Sequence, residues 1–459
     1  MASHTRRSRH SAINPAHIAM AALLLGAAAC SSGPGTSGAA AAQSGWSGKG
    51  VNTVSRPVTG ADVTAVTALR PDGSLETSVF DLAKGRKLWT RPATMVGRLS
   101  GMGVQPPAVV DAAGSGVVVS LEPQKTGKWK ATLVARDART GAQKWVRPVD
   151  STFGPVRCGA YVCMSEFTAR KSARFVVLDP AAGGRQLWKM AGITEVEWAD
   201  PAKLVAFRMA RHPTLEAHDL KTGKTLWSFP VERAVGSGVN LSGGWAFGSL
   251  GDVMVGYVAP YQPRKGTPLS AFGFFGMDMA TGKPVWTRKR LLRVYPSANP
   301  SVALITRQVT PAGGYGGFEQ LDPRTGRTTG TITADKAPES AWWLAFPADL
   351  TRLGFLSQGR AGAAYDLRSA ARATTKGVRA WSFCTVNPAE LKITGQRGFF
   401  PVAPLCAYDL STGKRISEPG PPPGWYTGAV KGWRTWRDER GLLHAIKDAK
   451  GTTPGMYGL

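Results

Sequence analysis

Redox and metal chemistry have few raw materials in this chain. Of its 459 residues five are cysteine, no two of them adjacent, and no Cys-x-x-Cys-His is present to attach a haem. After Cys30, asparagine occurs at Asn52, Asn240, Asn299 and Asn387 alone. His212, His218 and His444 stand far apart, without metal-ligand spacing, and read as surface residues. The chain shows no Gly-x-Ser-x-Gly elbow, no phosphate loop and no recognisable pair of catalytic carboxylates. Acids are scarce, 30 Asp and Glu against 57 Lys and Arg, for a formal charge of +27. No segment reads as helical, and the apolar run 18–25 is too short to span a bilayer.

What is present is a repeat. Ala217-His218-Asp219-Leu220-Lys221-Thr222-Gly223-Lys224-Thr225-Leu226-Trp227 gives its cleanest form. The Asp-x-x-Thr-Gly core recurs at Asp137, Asp219, Asp278, Asp322 and Asp409, and weaker copies stand at Asp81 with Lys84-Gly85, Asp179 with Ala182-Gly183, and Asp366 with Ser369-Ala370. Steps between successive aspartates are 56, 42, 40, 59, 44, 44 and 43 residues. Trp89, Trp145, Trp188, Trp227 and Trp286 follow the first five copies, and the last three lack the Trp.

Each unit reads as a β-hairpin. The glycine supplies the positive φ of a tight turn, and the aspartate bonds the turn's own N–H groups. Flanking runs such as 132–136 and 175–178 suit strands, and the Trp offers an apolar face to a neighbour. Units of about 40 to 45 residues that cannot bury such a face alone imply four-stranded blades stacked in a ring. The expected fold is all-β, a single β-propeller of eight four-stranded blades, with a seven-bladed ring and one degenerate outside unit as the alternative.

Asp-x-x-Thr-Gly-Lys-x-x-Trp at this period resembles the repeat of the PQQ-type β-propellers, over about residues 81–413. That superfamily contains quinoprotein dehydrogenases, the propeller lipoprotein of the outer-membrane barrel-assembly machinery, and sensor domains of bacterial kinases. The resemblance is specific for fold and says little of function. A quinone enzyme of this kind would need a cation with Asn, Asp and Glu ligands and, in many members, a disulfide between adjacent cysteines. None of these motifs carries over, so no cofactor, no metal and no enzymatic activity is expected.

The chain opens with Arg6, Arg7 and Arg9, the apolar run 18–25, and small residues up to Cys30, followed by Ser31-Ser32-Gly33. Residues 1–29 read as a secretory signal. Cys30 after small residues resembles a bacterial lipobox, which implies lipidation of Cys30, with Ala27 where the family usually has Leu. Residues 30–50 are Ser, Gly and Ala with little apolar bulk, an expected flexible tether. Residues 51–459 are the expected propeller domain, with insertions at 122–127 and 260–266 leaving the ring. Closure is expected from the two ends, the hairpin of 432–436 and 442–446 completing the first blade.

Without Cys30, four cysteines remain in an exported chain, which favours two disulfides. A four-residue hairpin loop would set Cys158 opposite Cys163, and a two-residue turn at Gly159-Ala160 would not. Cys384 and Cys406 pair by elimination, against the objection that they belong to the first and third strands of one blade, nearly 10 Å apart. Removing the three signal arginines leaves a charge of +24, which favours anionic surfaces. The repeat aspartates, Asp81, Asp137, Asp179, Asp219, Asp278, Asp322, Asp366 and Asp409, are expected as structural turn formers. The reading is an exported, lipid-anchored binding or scaffold module at the outer face of the cytoplasmic membrane. Its expected partners are the membrane through the lipid and an envelope protein or anionic polymer, not nucleic acid. The alternatives are a PQQ-dependent dehydrogenase with unrecognised ligands and an envelope-protein assembly factor.

Overall fold

The computed structural model describes residues 45–112, 114–124, 130–168, 172–294, 304–336, 343–347, 352–357, 360–366, 368–384, 388–417, 428–430 and 432–447. The expected signal, Cys30 and the tether up to residue 44 lie outside these residues. Among them only one short α-helix, Glu232–Val235, and one 3-10 turn, Leu241–Gly243, interrupt the strands.

The chain folds as an eight-bladed β-propeller. Blade 1 is Val58–Gly60, Val63–Leu69, Leu75–Asp81 and Lys87–Ala93, joined in chain order as antiparallel neighbours. Blades 2 to 6 repeat this plan, with Asp137, Asp179, Asp219 and Asp278 ending the third strand and Asp322 just after it. First strands of neighbouring blades touch one another, Ala108–Ala112 against Ser151–Cys158 and Ser151–Cys158 against Ile193–Ala199. They therefore form the inner wall of the ring, and the fourth strands its rim. The core lies between blades, as in the apolar layer of Val110, Val117, Leu133, Trp145, Met164 and Leu178.

Every one of the eight aspartates is engaged in its own turn. Asp219 Oδ1 accepts from the Lys221 and Thr222 N–H groups at 3.2 and 2.8 Å and from Thr222 Oγ1 at 2.7 Å. Asp81, Asp137, Asp179, Asp278, Asp322, Asp366 and Asp409 accept in the same way from residues two or three further on. A bulge recurs between the third and fourth strands, at Val79/Phe80, Val177/Leu178, Ala217/His218, Gly276/Met277 and Gln320/Leu321. An added residue there twists the outer strand, beside the position of the Trp.

Three expectations about the ring are corrected. The hairpin of the chain's end does not complete blade 1, which has four strands of its own. Trp433–Arg437 and Leu443–Lys447 join Gly428–Val430 and the N-terminal strand Gly45–Gly48 in a separate blade 8. The expected tether thus contains a strand at 45–48. The Asp366 and Asp409 units, expected as two blades, share one seven-stranded sheet, blade 7. Phe346 pairs with Trp381 and Pro347 with Ala380, so Trp343–Pro347 serves as inner strand to both units. The 260–266 insertion does leave the sheet, between Val253–Val258 and Gly273–Asp278. Of the expected insertion at 122–127, Glu122 and Pro123 belong instead to the strand Ser115–Pro123, and 125–127 lie outside the described residues.

Candidate functional site

The repeat residues assemble a latch between blades. Each outer-strand Trp lies over the turn of the next blade and donates Nε1–H to the carbonyl just after that blade's aspartate. Trp89 reaches Ala138 at 2.9 Å, Trp145 Pro180 at 3.0 Å, Trp188 Leu220 at 2.9 Å, Trp227 Met279 at 3.1 Å and Trp286 Pro323 at 3.0 Å. Trp46 on the N-terminal strand does the same to Leu82, at 2.8 Å. It is the repeat Trp of blade 8, missed in the sequence because it precedes the first aspartate within an apparent tether. The ring is therefore fastened by its two ends, and His444 of the same blade stacks on Trp436 and meets Ser47 Oγ at 2.7 Å.

The turn glycine answers two demands at once. Its φ is positive, and a Cβ at Gly223 would stand 2.6 Å from the Trp188 ring and one at Gly282 2.6 Å from Trp227. Ala370 takes the glycine's place in blade 7 with φ 55°. The preceding blade has no repeat Trp to lie over it. In the Asp179 turn the glycine under Trp145 is Gly184, not Gly183 as the motif suggested.

Buried carboxylates in a second layer tie blades together. Glu166 meets Arg147 of blade 2 and Arg174 of its own blade, both at 2.6 Å, and Glu319 meets Arg288 of blade 5 at 2.7 Å. The signal in the sequence was an arginine two residues after Trp145 and Trp286. His218, expected at the surface, is buried against the Trp188 ring with Glu216 at 3.3 Å, whereas His212 is exposed beside Glu232.

The inner wall carries one feature that the motif scan did not register. Glu195 and Glu197 lie on the inner strand Ile193–Ala199 of blade 4, only 5% and 7% exposed. Burial pushes the Glu195 carboxyl up to about 8, opposed by a hydrogen bond from Trp245 of blade 5 and by the charge of Arg56. Arg56 precedes the inner strand of blade 1, so its attraction acts across the ring. Burial, and then the neighbouring Glu195, push Glu197 well above the carboxylate range, and its Oε1 has no hydrogen-bond partner. Two such acids cannot both ionise readily, so the pair holds a proton near neutral pH. Glu195-Val196-Glu197, two acids two residues apart in one strand, was the available signal.

Both disulfides form. Gly159-Ala160 is a two-residue turn pairing Cys158 with Tyr161, yet the Cys158 and Cys163 Cα atoms are 6.0 Å apart and bridged. The expected obstacle fails because the bridge runs diagonally across the hairpin. Cys384 and Cys406 are bridged at a Cα separation of 4.9 Å. Arg379–Phe383 and Leu405–Asp409 are adjacent strands, with no strand between them, which removes the 10 Å objection. The residues between them, 388–404, cross instead to blade 1, where Phe399–Phe400 pairs in parallel with Met102–Gly103 and Gln396 accepts the Met95 N–H.

Residues 39–229 match the family model described as outer membrane protein assembly factor BamB. Over that stretch, less than half of the chain, the sequence is similar to that family. Solved structures similar to this propeller include BamB from Moraxella catarrhalis, at 14% identity over 88% of this chain and 98% of that one, TM-score 0.42. A europium-containing methanol dehydrogenase is similar at 11% identity, over 74% and 84% of the two chains, TM-score 0.36. Sqt1 of Saccharomyces cerevisiae is similar at 8% identity, over 87% and 97%, TM-score 0.38. Scores this low carry no argument about function. No curated protein matches the chain.

A quinone with its cation does not fit the described residues of this propeller. The repeat aspartates are engaged in turns, Asn240 Oδ1 accepts the Ser242 N–H at 2.9 Å, and neither disulfide joins adjacent cysteines. Glu195 and Glu197 gain no third carboxylate or imidazole among the described residues. The one cluster of three candidate metal donors there, Cys384, Cys406 and Glu439, has its two sulfurs joined in a disulfide.

Proposed function

We propose that this propeller is exported, anchored through lipid on Cys30 at the outer face of the cytoplasmic membrane, and acts there as a binding or scaffold module for envelope proteins. The observation that carries the reading is the fate of the repeat: eight aspartates and six tryptophans are all engaged in building and closing the ring. The chemistry that recurs is architectural, which leaves the loops and the rim for partners. Val146, Leu226 and Val285 on the outer strands of blades 2, 4 and 5 are 49%, 50% and 51% exposed. Each adjoins a repeat Trp and has basic residues nearby, at Lys144, Lys224 and Lys283. Such a rim of apolar side chains among cations suits an acidic protein surface with apolar contacts.

The family description over 39–229 favours one form of this role, an assembly factor for envelope proteins. Changing Cys30→Ser tests the anchor. The expected outcome is release of the protein from membranes or accumulation of its unprocessed precursor, since acyl chains are what hold a soluble ring at a bilayer. Wild-type protein found wholly in the medium would end the lipid-anchored reading.

A further inference from the structure

Between blades 1 and 2, under the loop 94–107, lies a cavity of about 20 Å³. Its polar lining comes from Thr67, Thr77, Thr94, Arg98, Gln105 and Ser120. That volume holds one small ion or one water.

Several of its polar groups lack a hydrogen-bond partner. Arg98 donates from Nη1 to Gln105 Oε1, and Thr67 Oγ1 donates to the Gln105 carbonyl at 2.8 Å. Arg98 Nε, Thr77 Oγ1 and Ser120 Oγ are buried with no hydrogen-bond partner, and Thr77 and Ser120 are only 1% and 4% exposed. Each such orphan is costly to leave unmatched. A water could serve part of this set, but a water leaves the guanidinium charge uncompensated. Burial alone governs Arg98, holding its basicity down to about 9, with no acid acting on it. Asp150 Oδ2 pairs with Lys130 at 3.5 Å, and its Oδ1, which lies against Gly97, is buried without a hydrogen-bond partner.

We propose that this cavity is a binding site for a monovalent inorganic anion of chloride size, held by the Arg98 guanidinium and the Thr77 and Ser120 hydroxyls. The anion accepts from Arg98 Nε–H and both hydroxyls, and it cancels a charge the fold otherwise leaves bare. The site sits where the loop 94–107 receives the segment 388–404, through Gln396 on the Met95 N–H and Phe399–Phe400 on Met102–Gly103. Filling it therefore fastens that segment to blade 1.

The test uses the full mature chain with chloride or bromide as probe, at constant ionic strength against gluconate. The wild-type unfolding midpoint is expected to rise with halide, and proteolysis within 388–404 to slow. Crystals soaked in bromide are expected to show an anomalous peak between Arg98, Thr77 and Ser120. Arg98→Met should remove the halide dependence. Should that variant fail to fold, Thr77→Val and Ser120→Ala keep the guanidinium, and each should raise the half-saturating bromide concentration about tenfold, the worth of a hydrogen bond to a charged group. Equal midpoints in halide and gluconate, a halide effect that survives in all three variants, or a water without anomalous signal in the cavity would overturn the proposal.

Discussion

Neighbouring glycines in one turn separate backbone strain from the Trp latch. Gly183 and Gly184 have φ of 67° and 75°. A Cβ on Gly183 meets nothing within 4 Å, and one on Gly184 would stand 2.8 Å from Trp145 Cε3. Alanine in the left-handed region costs about 1–2 kcal/mol, partly offset by about 0.4–1 kcal/mol through the unfolded chain. Gly183→Ala should therefore cost about 1 kcal/mol. Gly184→Ala must also push aside a Trp145 ring that is 8% exposed and bonded to the Pro180 carbonyl at 3.0 Å. Displacing a buried Trp approaches its deletion, about 3–5 kcal/mol, so Gly184→Ala should total about 3–5 kcal/mol. Urea unfolding at unchanged m-value reads both. In a Trp145→Ala background Gly184→Ala should fall to about 1 kcal/mol, a coupling the double-mutant cycle isolates. Equal costs for the two glycines, or a cost at Gly184 that ignores Trp145, would refute the latch.

The further predictions concern pH and the crossing segment. Asp219 and Asp278 lie below their ordinary value, each first through its side-chain hydrogen bond with Thr222 or Thr281. Their stabilisation is present above about pH 4 and is lost as pH falls through the lowered folded values. Glu195 is raised to about 8, so between its ordinary value and 8 the folded state binds more protons and stability falls as pH rises. Glu197→Gln should accordingly raise the unfolding midpoint at pH 8 and leave it little changed at pH 4.5; equal shifts at both would contradict the buried pair. Cys384→Ala with Cys406→Ala opens a link of sequence separation 22, expected to cost about 3 kcal/mol and to expose 388–404 to protease, which limited proteolysis reads.

The ring was legible because its turn demands chemistry that few residues supply. An aspartate to bond the N–H groups and a glycine at positive φ mark every turn between third and fourth strands from Asp81 to Asp322, and Ala370 departs from the rule where the Trp contact is missing. What joins blades was harder to read. Trp46 is separated from its partner Leu82 by only 36 residues in sequence, but the blade it completes comes from the opposite end of the chain. No local pattern announces that. Sharing of Trp343–Pro347 between two repeat units also depends on tertiary pairing, as does the return of 388–404 to blade 1. Glu195 and Glu197 could have been found, since alternate acids on an apolar inner strand conflict with burial. The three donors around the cavity at Arg98 could not, because Thr77, Arg98 and Ser120 meet only once two blades and a loop are assembled.

The claim that the ring serves binding is tested most directly by site-specific photocrosslinking in intact cells, with the crosslinker at Leu226 or Val285 on the rim. A discrete envelope-protein adduct is expected, lost when the neighbouring rim residue is changed to glutamate in a variant that still folds. The contradicting result is the absence of any adduct from the rim together with oxidation of an alcohol or sugar by the purified protein given PQQ and calcium.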